Sequence, residues 1–184
     1  KQHLELTRDI AHKFNTDYKK DYFKLPDPII NEKAPRIMSL RDASNKMSKS
    51  DVSKYSRILL TDSNDVIATK ISKAKSDSHN MPSDIEGLGN RPEINNLLNI
   101  YAAVSNQDKS KVIDQFSGKE ISYFKSELKD VVINLIEPIS SRIQDIKNDK
   151  TLLMDTLKLG SDKAREIATK TISDVDNLMG LSIE

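Results

Sequence analysis

The sequence predicts a mainly α chain, in which a short strand feeds a basic loop early on and an antiparallel helical bundle follows. Three observations support that class. Apolar residues recur at helical spacing in one segment after another from residue 92 to residue 178. The connections between those segments are short, which favours antiparallel neighbours. Between residues 18 and 60 the helical period gives way to prolines, clustered charges and two brief apolar runs.

Taken in order, Leu4, Thr7, Ala11 and Phe14 lie one helical turn apart and Asn15-Thr16-Asp17 ends the pattern, so a helix is expected over residues 1–15. Its periodicity begins at Lys1 with no cap ahead of it, and the sequence reads as a piece of a longer polypeptide. Residues 18–35 hold Pro26, Pro28 and Pro35 and read as loop. Arg36-Ile37-Met38-Ser39-Leu40 has the length of a buried strand, and it leads into a polar loop over 41–55. A second apolar run, Ile58-Leu59-Leu60, follows; Thr61-Asp62-Ser63 then supplies N-cap chemistry for a helix carrying Ile67, Ile71 and Ala74. Residues 76–91, with Pro82, Gly87 and Gly89, form the best internal boundary, giving expected domains at 1–78 and 79–184.

Beyond it, Pro92 suits a first helical position and Ile94, Leu97, Leu98, Tyr101, Ala102 and Val104 make one stripe. A shorter helix through Val112, Ile113 and Phe116 ends at Gly118. The longest pattern runs from Ile121 through Phe124, Leu128, Val131, Leu135 and Ile139 to Ile146, and Pro138 inside it predicts a kink or restart. Leu152, Leu153 and Leu157 predict a short helix closed by Gly160, with Ser161 capping a last one through Ile167, Ile172, Val175 and Leu178.

Composition excludes several chemistries. At 184 residues, 36% hydrophobic and 31% charged, the chain is polar but long enough to bury a core. With no cysteine it has no disulfide, thiolate zinc site, iron–sulfur cluster or cysteine nucleophile. His3, His12 and His79 are scattered, so no metal site is expected. No apolar run approaches the roughly 20 residues of a membrane span, and a soluble cytoplasmic protein without membrane contact is expected. The net charge of +1 is unevenly placed: residues 1–75 carry 16 Lys and Arg against 10 Asp and Glu, residues 76–184 carry 13 against 18. A basic first part suits phosphate, whereas the acidic second part cannot bind DNA by bulk charge.

Phosphate-binding and hydrolytic templates fail in turn. There is no Gly-x-x-x-x-Gly-Lys, Gly87-Leu88-Gly89 lacks a third glycine, and no Gly-x-Ser-x-Gly is present. Asp174 and Asp176 are two apart on a helix and face different sides, as solvated charges do. What remains is Lys46-Met47-Ser48-Lys49-Ser50, at the end of the short strand. Two ammonium groups on flexible stems, with hydroxyls between, can follow the oxygens of a triphosphate. A solvated Lys/Ser loop is the plain alternative, but the five-residue string arises by chance only on the order of once per million positions.

Lys46 to Ser50 resembles the KMSKS signature of class I aminoacyl-tRNA synthetases, and its surroundings are similar to the tryptophanyl-tRNA synthetase family. Lys1-Gln2-His3-Leu4-Glu5-Leu6-Thr7-Arg8, Ala34-Pro35-Arg36-Ile37-Met38-Ser39-Leu40, Asn96-Leu97-Leu98-Asn99-Ile100-Tyr101 and Asn177-Leu178-Met179-Gly180-Leu181 carry that likeness. It implies the end of a Rossmann-type α/β domain followed by a helical anticodon-binding domain. It also implies activation of tryptophan by ATP, with magnesium assisting, then transfer to tRNA(Trp) by a homodimer. Lys46 and Lys49 would stabilise the departing pyrophosphate, while Met47, Ser48 and Ser50 shape the loop and Ile37 lies against the adenine. The family's HIGH-type motif and tryptophan pocket are not in these residues, so this piece alone is expected to be inactive. A related tyrosyl-tRNA synthetase and a non-catalytic helical RNA-binding or scaffold module stand as alternatives.

Overall fold

Among the residues that the computed structural model describes, 2–29 and 36–181, the chain is mainly helical. Six α-helices follow in order: α1 Gln2–Asp17, α2 Asn64–Ser72, α3 Pro92–Ser105, α4 Lys109–Phe116, α5 Ile121–Asn148 and α6 Lys150–Met179. Ala34 and Pro35, part of the run quoted for the expected strand, lie outside the described residues. The chain packs as two units, one of residues 31–148 and one of residues 1–30 with 149–184.

In the 31–148 unit each helix starts and stops for a local reason. Ser63 accepts the Val66 N–H and caps α2. Pro92 opens α3, where its missing N–H costs nothing, and Asn106 ends it in the left-handed conformation at φ 54°. Gly118, at φ 69°, turns the chain after α4. α5 packs on α2 and α3, and α3 on α4. Their shared core holds Ile67, Ile71, Ile94, Leu97, Leu98 and Leu128 around an aromatic cluster. In that cluster Phe116 meets Tyr101 and Phe124 edge-on, at centroid distances of 5.1 and 4.9 Å. Each such side chain contributes about 1.5–3 kcal/mol by leaving water.

The 1–30/149–184 unit has less apolar interior. Asn15 pins the segment after α1, accepting from Tyr22 N–H and Phe23 N–H at 3.2 and 3.0 Å and donating to the Phe23 carbonyl at 2.8 Å. Phe14 stacks among Tyr18, Tyr22 and Phe23. The Tyr22 hydroxyl donates to Asp174 of α6 at 3.0 Å, and loss of water together with this carboxylate raises the phenol pKa above its usual value.

Several expectations need correction. The strand expected at Arg36–Leu40 is a single antiparallel bridge, Met38 with Lys46. Its remaining backbone groups go to loop residues and one side chain: Leu40 N–H donates to Ser56 O at 2.9 Å, and Leu40 O accepts from Lys75 N–H at 2.7 Å. α5 runs through Pro138 without a restart, because Pro138 and Asn134 are both exposed and water can take the carbonyl that proline leaves free. α6 is likewise one helix: Gly160 does not end it and Ser161 does not cap another, since a lone glycine among good helix formers costs only about 1 kcal/mol. The true caps are Asp149, which accepts from Leu152 N–H, and Gly180, at φ 72°.

The buried stripe of α5 is Phe124, Leu128, Val132 and Ile136, whereas Leu135 and Ile139 face outward. In α6 nothing is buried, and Ile167 and Ile172 are exposed. The segment 76–91 is fastened as well. Arg91 forms a fork on Asp77 at 2.7 and 2.8 Å and reaches the Asn80 carbonyl at 2.9 Å. Met81 and Leu88 are buried in the core.

Candidate functional site

The loop at residues 46–50 leaves the Met38–Lys46 bridge, and its geometry follows from that anchor. Ser39 N–H donates to Asn45 O at 2.8 Å and Met47 N–H donates to Ile37 O at 3.1 Å, so residues 37–39 and 45–47 run side by side. Just before the loop, Asp42 gathers Ser44 N–H, the Ser44 hydroxyl and the Asn45 amide at 3.0, 2.7 and 2.7 Å. These donors, the Ser44 hydroxyl first, hold its carboxyl below the usual pKa range. The tight Asx turn aims the chain back toward residue 46.

The six sequence-expected site residues divide by environment. Ile37 and Met47 are half-buried and pack against the core, joined by their backbone hydrogen bond. Lys46, Ser48, Lys49 and Ser50 are exposed. Ser48 Oγ lies 3.0 Å from Ser50 Oγ and accepts from Ser50 N–H at 3.3 Å, which closes the loop tip on itself. Among the described residues neither Lys46 nor Lys49 forms an ion pair, leaving two uncompensated ammonium groups in water.

Past the tip, Arg57 donates to the carbonyls of Asp51 and Ser53 at 2.9 and 3.2 Å and fixes the return of the chain. An open cleft there is lined by Met47, Ser48, Lys49, Arg57, Ile58 and Leu60. The apolar floor with a cationic rim suits a ligand that has a flat apolar part and phosphates.

Sequence reasoning missed three supporting contacts. Asn96, on α3, is 3% exposed and binds the Met38 backbone on its far side. Buried Lys70 and half-buried Asp62 pair at 2.5 Å, and Asp62 also accepts the Leu59 N–H at 2.8 Å. Lys125, on α5, donates to the Ala74 carbonyl at 2.7 Å just after α2, and desolvation pushes its pKa down. A buried Asn or Lys inside an apolar stripe was the available signal.

A family model described as tRNA synthetases class I (W and Y) matches residues 1–137. The tryptophan--tRNA ligase of Caulobacter vibrioides is 45% identical over 181 residues, 98% of this chain and 53% of that protein. The tryptophan--tRNA ligase of Rickettsia prowazekii is 44% identical over 183 residues, 100% of this chain and 55% of that protein. The chain thus spans about half the length of the curated relatives it matches. Among solved structures, a tryptophanyl-tRNA synthetase from Mycoplasma pneumoniae aligns with TM-score 0.81 at 28% identity, covering 98% of this chain and 54% of that one. One from Campylobacter jejuni, complexed with ADP and tryptophan, aligns with TM-score 0.63 at 25% identity over 98% of this chain and 54% of that one.

Proposed function

The chain belongs to the class I tRNA synthetase family of the tryptophan and tyrosine enzymes, and from that premise we propose that it is part of a tryptophan--tRNA ligase. One observation carries the reading: Lys46-Met47-Ser48-Lys49-Ser50 stands on a loop whose two lysines are exposed and, among the described residues, without an ion-pair partner, in a chain 45% identical across nearly its whole length to a ligase of that name. In the reaction, the tryptophan carboxylate attacks the α-phosphorus of ATP, the bond to pyrophosphate breaks, and a tRNA hydroxyl then displaces AMP from the adenylate. Lys46 and Lys49 meet the charge that grows on the departing pyrophosphate. Ser48 and Ser50 hold the tip in shape, Met47 ties it to the core, and Ile37 offers an apolar surface for adenine.

The reading extends to an assembly of the end of a Rossmann-type domain, residues 1–78, and an antiparallel helical anticodon-binding bundle, residues 79–184. A cytoplasmic homodimer acting on tRNA(Trp) belongs to the same proposal. Magnesium comes with it through ATP, whose phosphates would carry the ion without a dedicated protein cage; among the described residues no three His, Asp or Glu side chains gather into a metal-binding group. The likeness of the whole chain to ligases speaks against a bare RNA-binding or scaffold module. The test is exchange of pyrophosphate into ATP by the complete protein. Exchange that requires tryptophan and ignores tyrosine is expected, and exchange that follows tyrosine, or none, overturns the proposal. The 184-residue chain by itself is expected to support no exchange.

A further inference from the structure

Met38 and Lys46 form the non-hydrogen-bonded pair of their bridge: the flanking residues exchange the bonds, and Met38's own N–H and C=O point the other way. A second strand residue would normally meet them there. Instead Asn96 does so, with its side chain. Its Oδ1 accepts the Met38 N–H at 2.9 Å, and its Nδ2 donates to the Met38 carbonyl at 2.9 Å and to the Ser39 carbonyl at 3.4 Å. A carboxamide offers an N–H donor beside a C=O acceptor, as a peptide group does, so it can substitute for one residue of a strand. Asn96 is 3% exposed and sits beside Leu97 and Leu98, which are buried in the core, so it has little freedom to turn away.

We propose that Asn96 is a positioning residue for the Lys46–Ser50 loop: from helix α3 it fixes the register of residues 37–39, from whose other edge the loop departs. The inference rests on the reading of that loop as the ATP-binding signature. Without Asn96, Met38 loses two bonds in a half-buried place, and segment 37–39 can slide or tilt. A shift there passes directly through Ser39–Asn45 and Ile37–Met47 to the first lysine. Small misplacements of charged groups are expensive in rate, because stabilisation of a leaving group depends on its position at the transition state. The tryptophan pocket that the family resemblance implies lies outside these residues, so tryptophan binding is expected to be unchanged.

The test has two arms. In the first, hydrogen exchange is followed in this chain carrying Asn96→Ala. Amides of Ser39 and Met47 are expected to exchange on the order of tenfold faster while those of α3 beyond residue 98 stay protected. Unchanged exchange in residues 38–47, or equal acceleration throughout α3, overturns the inference. In the second arm the complete enzyme is assayed per folded active site. Asn96→Ala is expected to lower kcat for pyrophosphate exchange about 10- to 100-fold with the KM for tryptophan unchanged. Asn96→Asp keeps the side-chain volume and the acceptor for Met38 N–H, and it gives the same split if the alanine variant folds poorly. Unchanged kcat in an active enzyme overturns the inference, whereas a wild-type enzyme without exchange overturns the functional reading and leaves the first arm to decide on Asn96.

Discussion

Asp77 and Arg91, both in the segment joining α2 to α3, meet through two parallel hydrogen bonds of 2.7 and 2.8 Å. The fork turns a glycine- and proline-bearing stretch into an ordered strap. Arg91 also holds the carbonyls of Asn80 and His79, at 2.9 and 3.2 Å.

This pair gives the fold an acid-sensitive link. The guanidinium, above all, holds the Asp77 carboxyl below its ordinary pKa. A depressed carboxylate stabilises the folded state above the unfolded value, near 3.9, and loses that contribution as pH falls through the folded value. Asp77→Asn is therefore expected to cost about 1 kcal/mol at pH 7 and to cost less near pH 3, below the unfolded value. Urea unfolding at both pH values checks this; an equal difference at the two would assign the ion pair no role.

Gly160 lies within α6, and a Cβ built there meets nothing within 4 Å. Gly160→Ala is expected to stabilise by about 0.5–1 kcal/mol, as alanine does in a helix interior. A loss of stability in chemical denaturation would mean that the helix breaks there.

Pro138→Ala follows similar reasoning in α5. The substitution restores one main-chain bond and removes the ring's clash with the preceding turn, at an exposed position. A rise of about 1–3 kcal/mol in unfolding free energy is expected. No rise would indicate that the proline ring makes contacts that offset its cost.

Legibility in the sequence followed the range of the interaction. α1, α2, α3 and α4 could be read off because each is short, periodic and bounded by local chemistry: Ser63, Pro92 and Gly118 act within a turn of where they stand. The long helix α6 was misread at Gly160, and α5 does not restart at Pro138; in both, residues that disfavour helix were outweighed by their neighbours. The strand was misread for another cause. Residues 36–40 have strand composition, yet what they pair with is decided by Lys46, Ser56, Lys75 and Asn96, up to 58 residues away. The loop motif was legible as a string, but the anchoring of Met38 by Asn96 could not be read from spacing, because a buried asparagine on an apolar stripe names no partner.

The most direct test of the Lys46/Lys49 assignment is single-turnover adenylate formation by the complete enzyme carrying Lys46→Ala or Lys49→Ala. Both lysines are exposed and form no ion pair among the described residues, so their removal leaves no buried charge stranded and the fold should persist. Losing a preorganised donor to developing charge costs roughly 2.7–4 kcal/mol, so the rate is expected to fall about 100- to 1000-fold with tryptophan affinity unchanged. A single-turnover rate equal to that of the unsubstituted enzyme would contradict the assignment.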